Sequence, residues 1–539
     1  MATIFINGRI FCPDSPGGFV STMVVRGDRI THLGSEKDEE VCHIQGVSFK
    51  VDLNNHMVLP GFIDAHVHIL NFGLSLQKLD LLSCKTLADI RQAIVYYGAT
   101  HPSEPRILCR GWIQSVTNGE AFATALDGLD QRPIYIEALD LHSTWCNNAA
   151  LTELNIHSMP DPPGGKIHRY HNGTPSGLLE EAAQFNIVWP FLDRATSPEK
   201  KLTAIDAAIR AHQQAGYTGL VDMAMGENDW AALNLYRNQC GELPMHVGAH
   251  WLVPYSEIDS DICSHIDRAI DLHRDYNRTT SPDFCLNGIK LLCDGTVDGC
   301  TAGLHRPYAG LSATVDPIWP DDALAAAISR ATNAGLQCAI HAIGDRTVQQ
   351  AIDCLSRVNN LPVYRHRIEH LEITTPEDAK RLGELGIVAS VQPVHLDPAT
   401  FGAWPEILGV HRCKRAFAYR EFVDGGARLA FGTDAPTAEH LALPNLYIAT
   451  TRRSAINPSS ADTVNPEFAV SLATAISAAT EGAAYASFSD TWAGSLRPGL
   501  QANFVILDME WAPEALLQAR VCQTWYKGKK VFDAKMGDQ

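Results

Sequence analysis

The chain has 539 residues, 45% of them hydrophobic and 19% charged, with a formal net charge of −18 at pH 7. That length exceeds one simple core but suits a large barrel with a satellite domain, and the composition is that of a globular enzyme. The acidic balance argues against a nucleic-acid or anionic-membrane partner, both of which demand basic surface. The 14 cysteines include no C-x-x-C pair, which excludes a zinc ribbon or thioredoxin motif and points to reduced, mostly buried thiols. Asn172-Gly-Thr and Asn277-Arg-Thr fit the glycosylation pattern, a triplet that arises often by chance. The first residues lack a basic start and a long apolar core, and no stretch offers about 18 uninterrupted apolar residues. A cytoplasmic protein without signal peptide or membrane span is the expectation.

Taken in chain order, residues 3–55 predict short β pieces with turns at Asn7-Gly8 and Gly27-Asp28. Residues 58–66 predict a strand that delivers His66 and His68. Side chains at i and i+2 of a strand share a face, so the two imidazoles converge and make half a shell for a divalent metal. The competing reading is an accidental pair in a chain of 22 histidines. Residues 72–216 are too long for a plain loop and hold strand-like pieces at 106–110 and 133–139 and a Pro/Gly-rich loop at 159–166. They predict an inserted domain capping a barrel mouth.

Seven more strands are predicted at 217–223, 245–250, 287–292, 337–341, 365–370, 387–392 and 427–431. Helical stretches at 321–333 and 378–385 intervene, each stopping near Gly335 or Gly386. Strands at 502–507 and 521–532 resemble the N-terminal pieces. The fold class is therefore α/β, a (β/α)₈ TIM barrel on 58–71 and 201–487, a small β-sandwich from both termini (1–57 and 488–539) and an insert at 72–200.

On this frame His66 and His68 close strand one, Lys290 lies in strand four, His341 ends strand five, His370 ends strand six and Asp434 follows strand eight. A lone histidine at a strand end is more often structural, and Asp434 before Ala435-Pro436 equally suits a helix N-cap. A strand lysine is odder, because burying an unpaired ammonium costs several kcal/mol. The coincidence of all these residues on one rim, where barrel chemistry sits, carries the reading.

This order of residues resembles the metal-dependent amidohydrolase superfamily. Finer motifs resemble its YtcJ-like branch (amidohydrolase family 3), in which N-substituted formamide deformylase is a characterised activity. They are Leu59-Pro-Gly-Phe-Ile-Asp-Ala-His-Val-His, Lys290 with Asp294-Gly295, His341-Ala-Ile-Gly-Asp345, Arg367-Ile-Glu-His370, Ser390-Val-Gln-Pro393 and Gly432-Thr-Asp-Ala-Pro436. Gly494-Ser-Leu-Arg-Pro-Gly-Leu-Gln-Ala-Asn-Phe504 and, in the insert, Arg110-Gly-Trp112 and Asp140-Leu-His-Ser-Thr-Trp145 extend the likeness over nearly the whole chain.

The resemblance implies one or two divalent ions, zinc first, with manganese, iron or cobalt also accepted by such ligands. His66, His68 and Asp434 would hold one ion, His341 and His370 the second, and an N-carboxylated Lys290 would bridge them. Bridged ions sit roughly 3.5–4 Å apart and acidify a shared hydroxide. That hydroxide would attack an amide-type carbonyl, with Asp434 as general base and then acid. The implied activity is hydrolysis of a non-peptide C–N bond in a small-molecule substrate. A non-hydrolytic lyase, isomerase or cyclase, a deaminase and an inactive scaffold are the alternatives.

Asp64 is read either as a partner orienting the imidazoles or as structural. Substrate-contact candidates are His142, Trp145, His395 and His440. Trp112 and Trp404 could line an apolar pocket, and Cys300 is read as packing. Oligomeric state stays open, a homodimer being one option.

Overall fold

The computed structural model describes residues 2–44, 48–139, 141–162 and 165–536. Asp140 and residues 163–164 of the Pro/Gly-rich loop lie outside them. Contacts divide the chain into two compact units, Met1–Ile69 with Ile209–Trp230 and Arg237–Gln539, and Leu70–Ala208 with Ala231–Tyr236.

The first unit holds an eight-stranded sheet whose strands follow chain order, each neighbouring pair parallel. They are β1 Phe62–Val67, β2 Tyr217–Met225, β3 His246–Leu252, β4 Phe284–Leu292, β5 Gln337–Ala342, β6 Arg367–His370, β7 Val388–Val391 and β8 Leu429–Phe431. Every residue of β1, β6, β7 and β8 is buried, the pattern of a parallel sheet covered on both faces. Helices such as Asp259–Asp275, Asp321–Asn333, Asp345–Leu355 and Pro376–Leu385 return the chain between strands. The last begins in a reciprocal Thr375–Asp378 capping box and stops at Gly386, in the left-handed region with φ 67°. This is the expected (β/α)₈ barrel. Strand six is shorter than the sequence suggested, because Arg365 sits at φ 49° and breaks the extended run before it starts.

Closure of the barrel brings β8 back to β1. The amides of Thr433 and Asp434 donate to the His66 carbonyl at 3.2 and 2.7 Å, and the His68 amide donates to the Ala435 carbonyl at 3.0 Å. Asp64 pins this seam: its carboxylate accepts from the His66 amide at 3.1 Å, the Thr433 amide at 3.0 Å and the Thr433 hydroxyl at 2.5 Å. Gly432 is needed for the close approach, since a Cβ there would lie 2.6 Å from both the Cβ and the amide nitrogen of His66.

The termini supply two further sheets, as expected. In one, the order is Lys529–Asp533, Arg520–Tyr526, Phe504–Asp508, Met57–Pro60, Arg9–Phe11, Phe19–Val20. In the other it is Arg29–Gly34, Thr22–Arg26, Ala2–Ile6, Ser48–Asp52. Phe5, Phe504 and Trp525 fill the core they share, with the Phe504 and Trp525 rings stacked at 5.4 Å. Met57–Pro60 runs almost directly into β1 and pairs antiparallel with Phe504–Asp508.

The second unit is built on a six-stranded sheet, in the order Gly165–Arg169, Pro175–Glu181, Ser143–Cys146, Ile134–Ala138, Ile107–Trp112, Leu79–Asp80. Its core holds Trp112 and Trp145, with ring centroids 5.3 Å apart. No helix among the described residues is long and apolar enough to cross a membrane.

Gly432→Ala should therefore lower stability by about 1–3 kcal/mol through overpacking at the seam. Urea unfolding of variant and parent checks this, and an unchanged midpoint contradicts the tight approach.

Candidate metal centre

At the C-terminal end of β1, His66 and His68 project toward Asp434, which follows β8 with φ 59°. One carboxylate oxygen, Oδ1, lies 3.3 Å from His66 Nε2 and 3.0 Å from His68 Nε2. The three side chains offer ligand atoms all within 4.8 Å of one another. A second three-donor group of the same compactness comprises His370, His395 and again Asp434. His370 closes β6 with φ 77°, a left-handed turn that ends the strand, and its ring lies 5.1 Å from that of His66. His395 sits in the short turn after β7, its ring parallel to His370 within 7° at 5.9 Å.

The His341 ring packs 4.4 Å from that of His370. Its Nε2 faces the Gly295 carbonyl and Asp294 Oδ1, each at 3.4 Å. Asp294 is itself fixed by the amides of Ile343, Gly344 and Gly303. Lys290 on β4 is 1% exposed, and its ammonium nitrogen has no hydrogen-bond partner.

Four supporting residues received no role from the sequence. Glu369 Oε2 lies 2.7 Å from His66 Nδ1, which turns the opposite nitrogen to Asp434. Arg367 donates from Nε to Glu369 Oε1 at 2.5 Å and from Nη2 to the Ala65 carbonyl at 2.7 Å. Gln392 Nε2 is 3.2 Å from His66 Nδ1, and Glu372 Oε1 is 3.6 Å from His395 Nδ1. The available signal was Arg367-x-Glu369, two charges two apart in a strand and so on one face of it. Asp64 proves to be the seam clamp, with His212 Nε2 at 3.7 Å from it.

Burial, reinforced by the Lys290 charge, pushes His66 down to about 4 and His341 down to about 3. His370 falls well below the usual range for the same first cause, with His341 adding to it. These imidazoles are neutral at pH 7, the state in which they ligate metals. Burial also lowers His68 and His395, but the neighbouring carboxylates together outweigh it, Asp434 and Asp222 at His68 and Glu372, Asp434 and Asp298 at His395, and raise both. Burial pushes Lys290 down to about 8. For Asp434 burial acts upward, yet the surrounding imidazoles hold it well below the usual carboxylate range.

The other sequence candidates have the following surroundings. Trp145 lies within strand Ser143–Cys146 at 0% exposure, its Nε1 donating to the Phe122 carbonyl at 3.0 Å. Trp112 is equally enclosed. Trp145 is a core residue, whereas Trp112, although buried, borders a surface recess with Phe122, His168 and Ser176. Trp404 is also buried and donates to Asp298 at 3.1 Å. His142 belongs to the second unit and pairs with Glu181 at 2.9 Å. His440 packs 5.2 Å from the His212 ring. Cys300 is half-buried in the loop after β4, its thiol raised by burial.

The donor set fits a divalent cation: neutral imidazoles beside a carboxylate, with His370 Nδ1 and Lys290 Nζ buried and unpartnered.

A family model described as the amidohydrolase family matches residues 50–532. The chain is 30% identical to Protein LONG AFTER FAR-RED 3 of Arabidopsis thaliana, over 98% of this chain and 91% of that protein. It is 26% identical to YtcJ of Bacillus subtilis (strain 168), a protein with an amidohydrolase designation, over 91% of this chain and 93% of that protein. It is 24% identical to the N-substituted formamide deformylase of Arthrobacter pascens, over 97% of each. Among solved structures, an uncharacterized metal-dependent hydrolase from Pyrococcus horikoshii OT3 matches with a TM-score of 0.78 at 23% identity, covering 95% of this chain and 99% of that one, a likeness of fold.

The buried histidines also set an acid limit. Burial brings His66, His246 and His366 down to about 4, and His250 and His341 down to about 3, from a usual 6.5. Their contribution is fully present above pH 6.5 and is lost as pH falls toward those values. Asp222 and Asp294, raised to about 7 by burial, act in the opposite sense between 3.8 and 7. With six histidines, His370 included, against the raised carboxyls of Asp222, Asp294, Glu372 and Asp378, the chelator-treated protein should lose stability from pH 6.5 to 4. Urea midpoints across that range check this; a flat profile contradicts the burial of neutral imidazoles.

Proposed function

The chain belongs to the amidohydrolase family, and on that premise we propose that it is a metal-dependent hydrolase cleaving a non-peptide amide-type C–N bond. The substrate class is an N-substituted formamide or an aryl or alkyl amide, by analogy with the Arthrobacter pascens relative. The observation that carries the reading is the convergence of His66, His68 and Asp434 at one barrel rim.

His66, a neutral imidazole, and His68, which would give up its proton on ligation, would hold the cation, zinc in this reading. When bound, the cation polarises a carbonyl and acidifies water. Glu369 keeps the His66 ring turned so that Nε2 faces Asp434. Asp434, ionised at neutral pH, accepts a proton from the attacking water and delivers it to the leaving nitrogen. Lys290 suits N-carboxylation: with its pKa pushed down to about 8, a fraction of the amine is neutral and able to add CO₂. The resulting carbamate exchanges an unpartnered buried cation for an anionic oxygen donor, alongside His341 and His370. The cysteines, 14 and all free, suit a reducing compartment, and we place the enzyme in the cytoplasm.

The test is a panel of N-substituted formamides and aryl amides, assayed before and after chelation and again after zinc, manganese or cobalt is restored. Chelation should abolish turnover and metal should return it. His66→Asn and Asp434→Asn should each lower kcat/KM by more than about 100-fold. Equal turnover with and without chelator overturns the reading.

A further inference from the structure

Resting on the metal-dependent reading above, we propose that His395, held by Glu372, is a protein donor to a second cation beside Asp434. No role at a metal followed for His395 from its place in the sequence.

The first support is how Asp434 divides its oxygens. Oδ1 faces His66 and His68 at 3.3 and 3.0 Å, whereas Oδ2 faces His395 Nε2 at 3.9 Å. That last separation is too long for a hydrogen bond. Two donors each about 2.1 Å from one ion lie about 3.4 Å apart at the tetrahedral angle, so the gap is close to what a shared cation needs. A carboxylate with oxygens turned to two separate imidazole groups borders both positions.

The second support is the fixing of the His395 ring. Nδ1 lies 3.6 Å from Glu372 Oε1, and Nε2 lies 3.3 Å from Thr437 Oγ1. Glu372 is buried at 6% exposure. A carboxylate behind one nitrogen is the usual support of a ligating histidine, and a cation at Nε2 would take the place of the Thr437 contact. The ring also lies parallel to His370, so both imidazoles present their edges side by side.

The third support is an orphan. His370 is 4% exposed and its Nδ1 has no hydrogen-bond partner. Leaving a buried polar nitrogen unsatisfied is unfavourable. With His395 and Asp434 in reach, all three donors lie within 4.8 Å, and a cation supplies the missing partner.

The test is metal stoichiometry on the full-length chain, stripped with chelator and reconstituted with zinc, then with cobalt(II) for spectroscopy. The wild type should bind two zinc equivalents, and the cobalt form should show magnetic coupling between the ions. His395→Asn should keep one equivalent and lose the coupling. Glu372→Gln, a milder change that guards against a folding defect in the first variant, should weaken the second equivalent by about 10–100-fold while leaving the first unchanged. Two equivalents of unaltered affinity in His395→Asn overturn the proposal, as does a single equivalent in the wild type. A wild type that takes up no metal overturns the hydrolase reading itself, a separate result.

Discussion

The return of β8 onto β1 is the constraint on which both the fold and the centre depend. Asp64 ties the His66 amide to Thr433, while the His66 carbonyl accepts from Thr433 and Asp434. The bonds that close the sheet are thus made by the residues that present the ligands, or by their immediate neighbours. Barrel closure and the spacing of His66, His68 and Asp434 are one geometric event. A loosened seam separates the donors as surely as it opens the sheet.

Beneath this rim the barrel interior is charged. Arg367, Glu369 and Lys290 are all essentially excluded from water. Buried ions are tolerable only in well-bonded geometry, and here Arg367 and Glu369 form a tight pair while Glu369 also takes His66. Lys290 alone lacks a hydrogen-bonded partner. Of these three charges, that ammonium is the one an added anion would balance.

Much of this was legible in the sequence because the barrel imposes order. Apolar runs ending in His66-x-His68, His341 and His370 recur where strands open onto the active face, and the terminal strands announce themselves by alternation and turn residues. Glu369 escaped because a carboxylate inside a strand carries no signal of its partner 303 positions away. His395 was visible only as a residue just past strand seven. Its alignment with His370 arises from a tight turn that spacing does not encode. Trp145 and Trp112 show the converse: an aromatic near a strand end reads as a substrate contact or pocket wall, and its burial in the second unit is something spacing does not encode.

The pairing of Met57–Pro60 with Phe504–Asp508 has a consequence for biosynthesis. The strand that feeds straight into β1 lies between an early neighbour, Arg9–Phe11, and one that follows far later in the chain, Phe504–Asp508. While the ribosome is still extending the chain, the segment carrying the histidine pair has one flank unpaired, an exposed edge open to wrong partners. Nascent chains halted before residue 504 should therefore depend on chaperones far more than chains that already carry the Phe504–Asp508 strand.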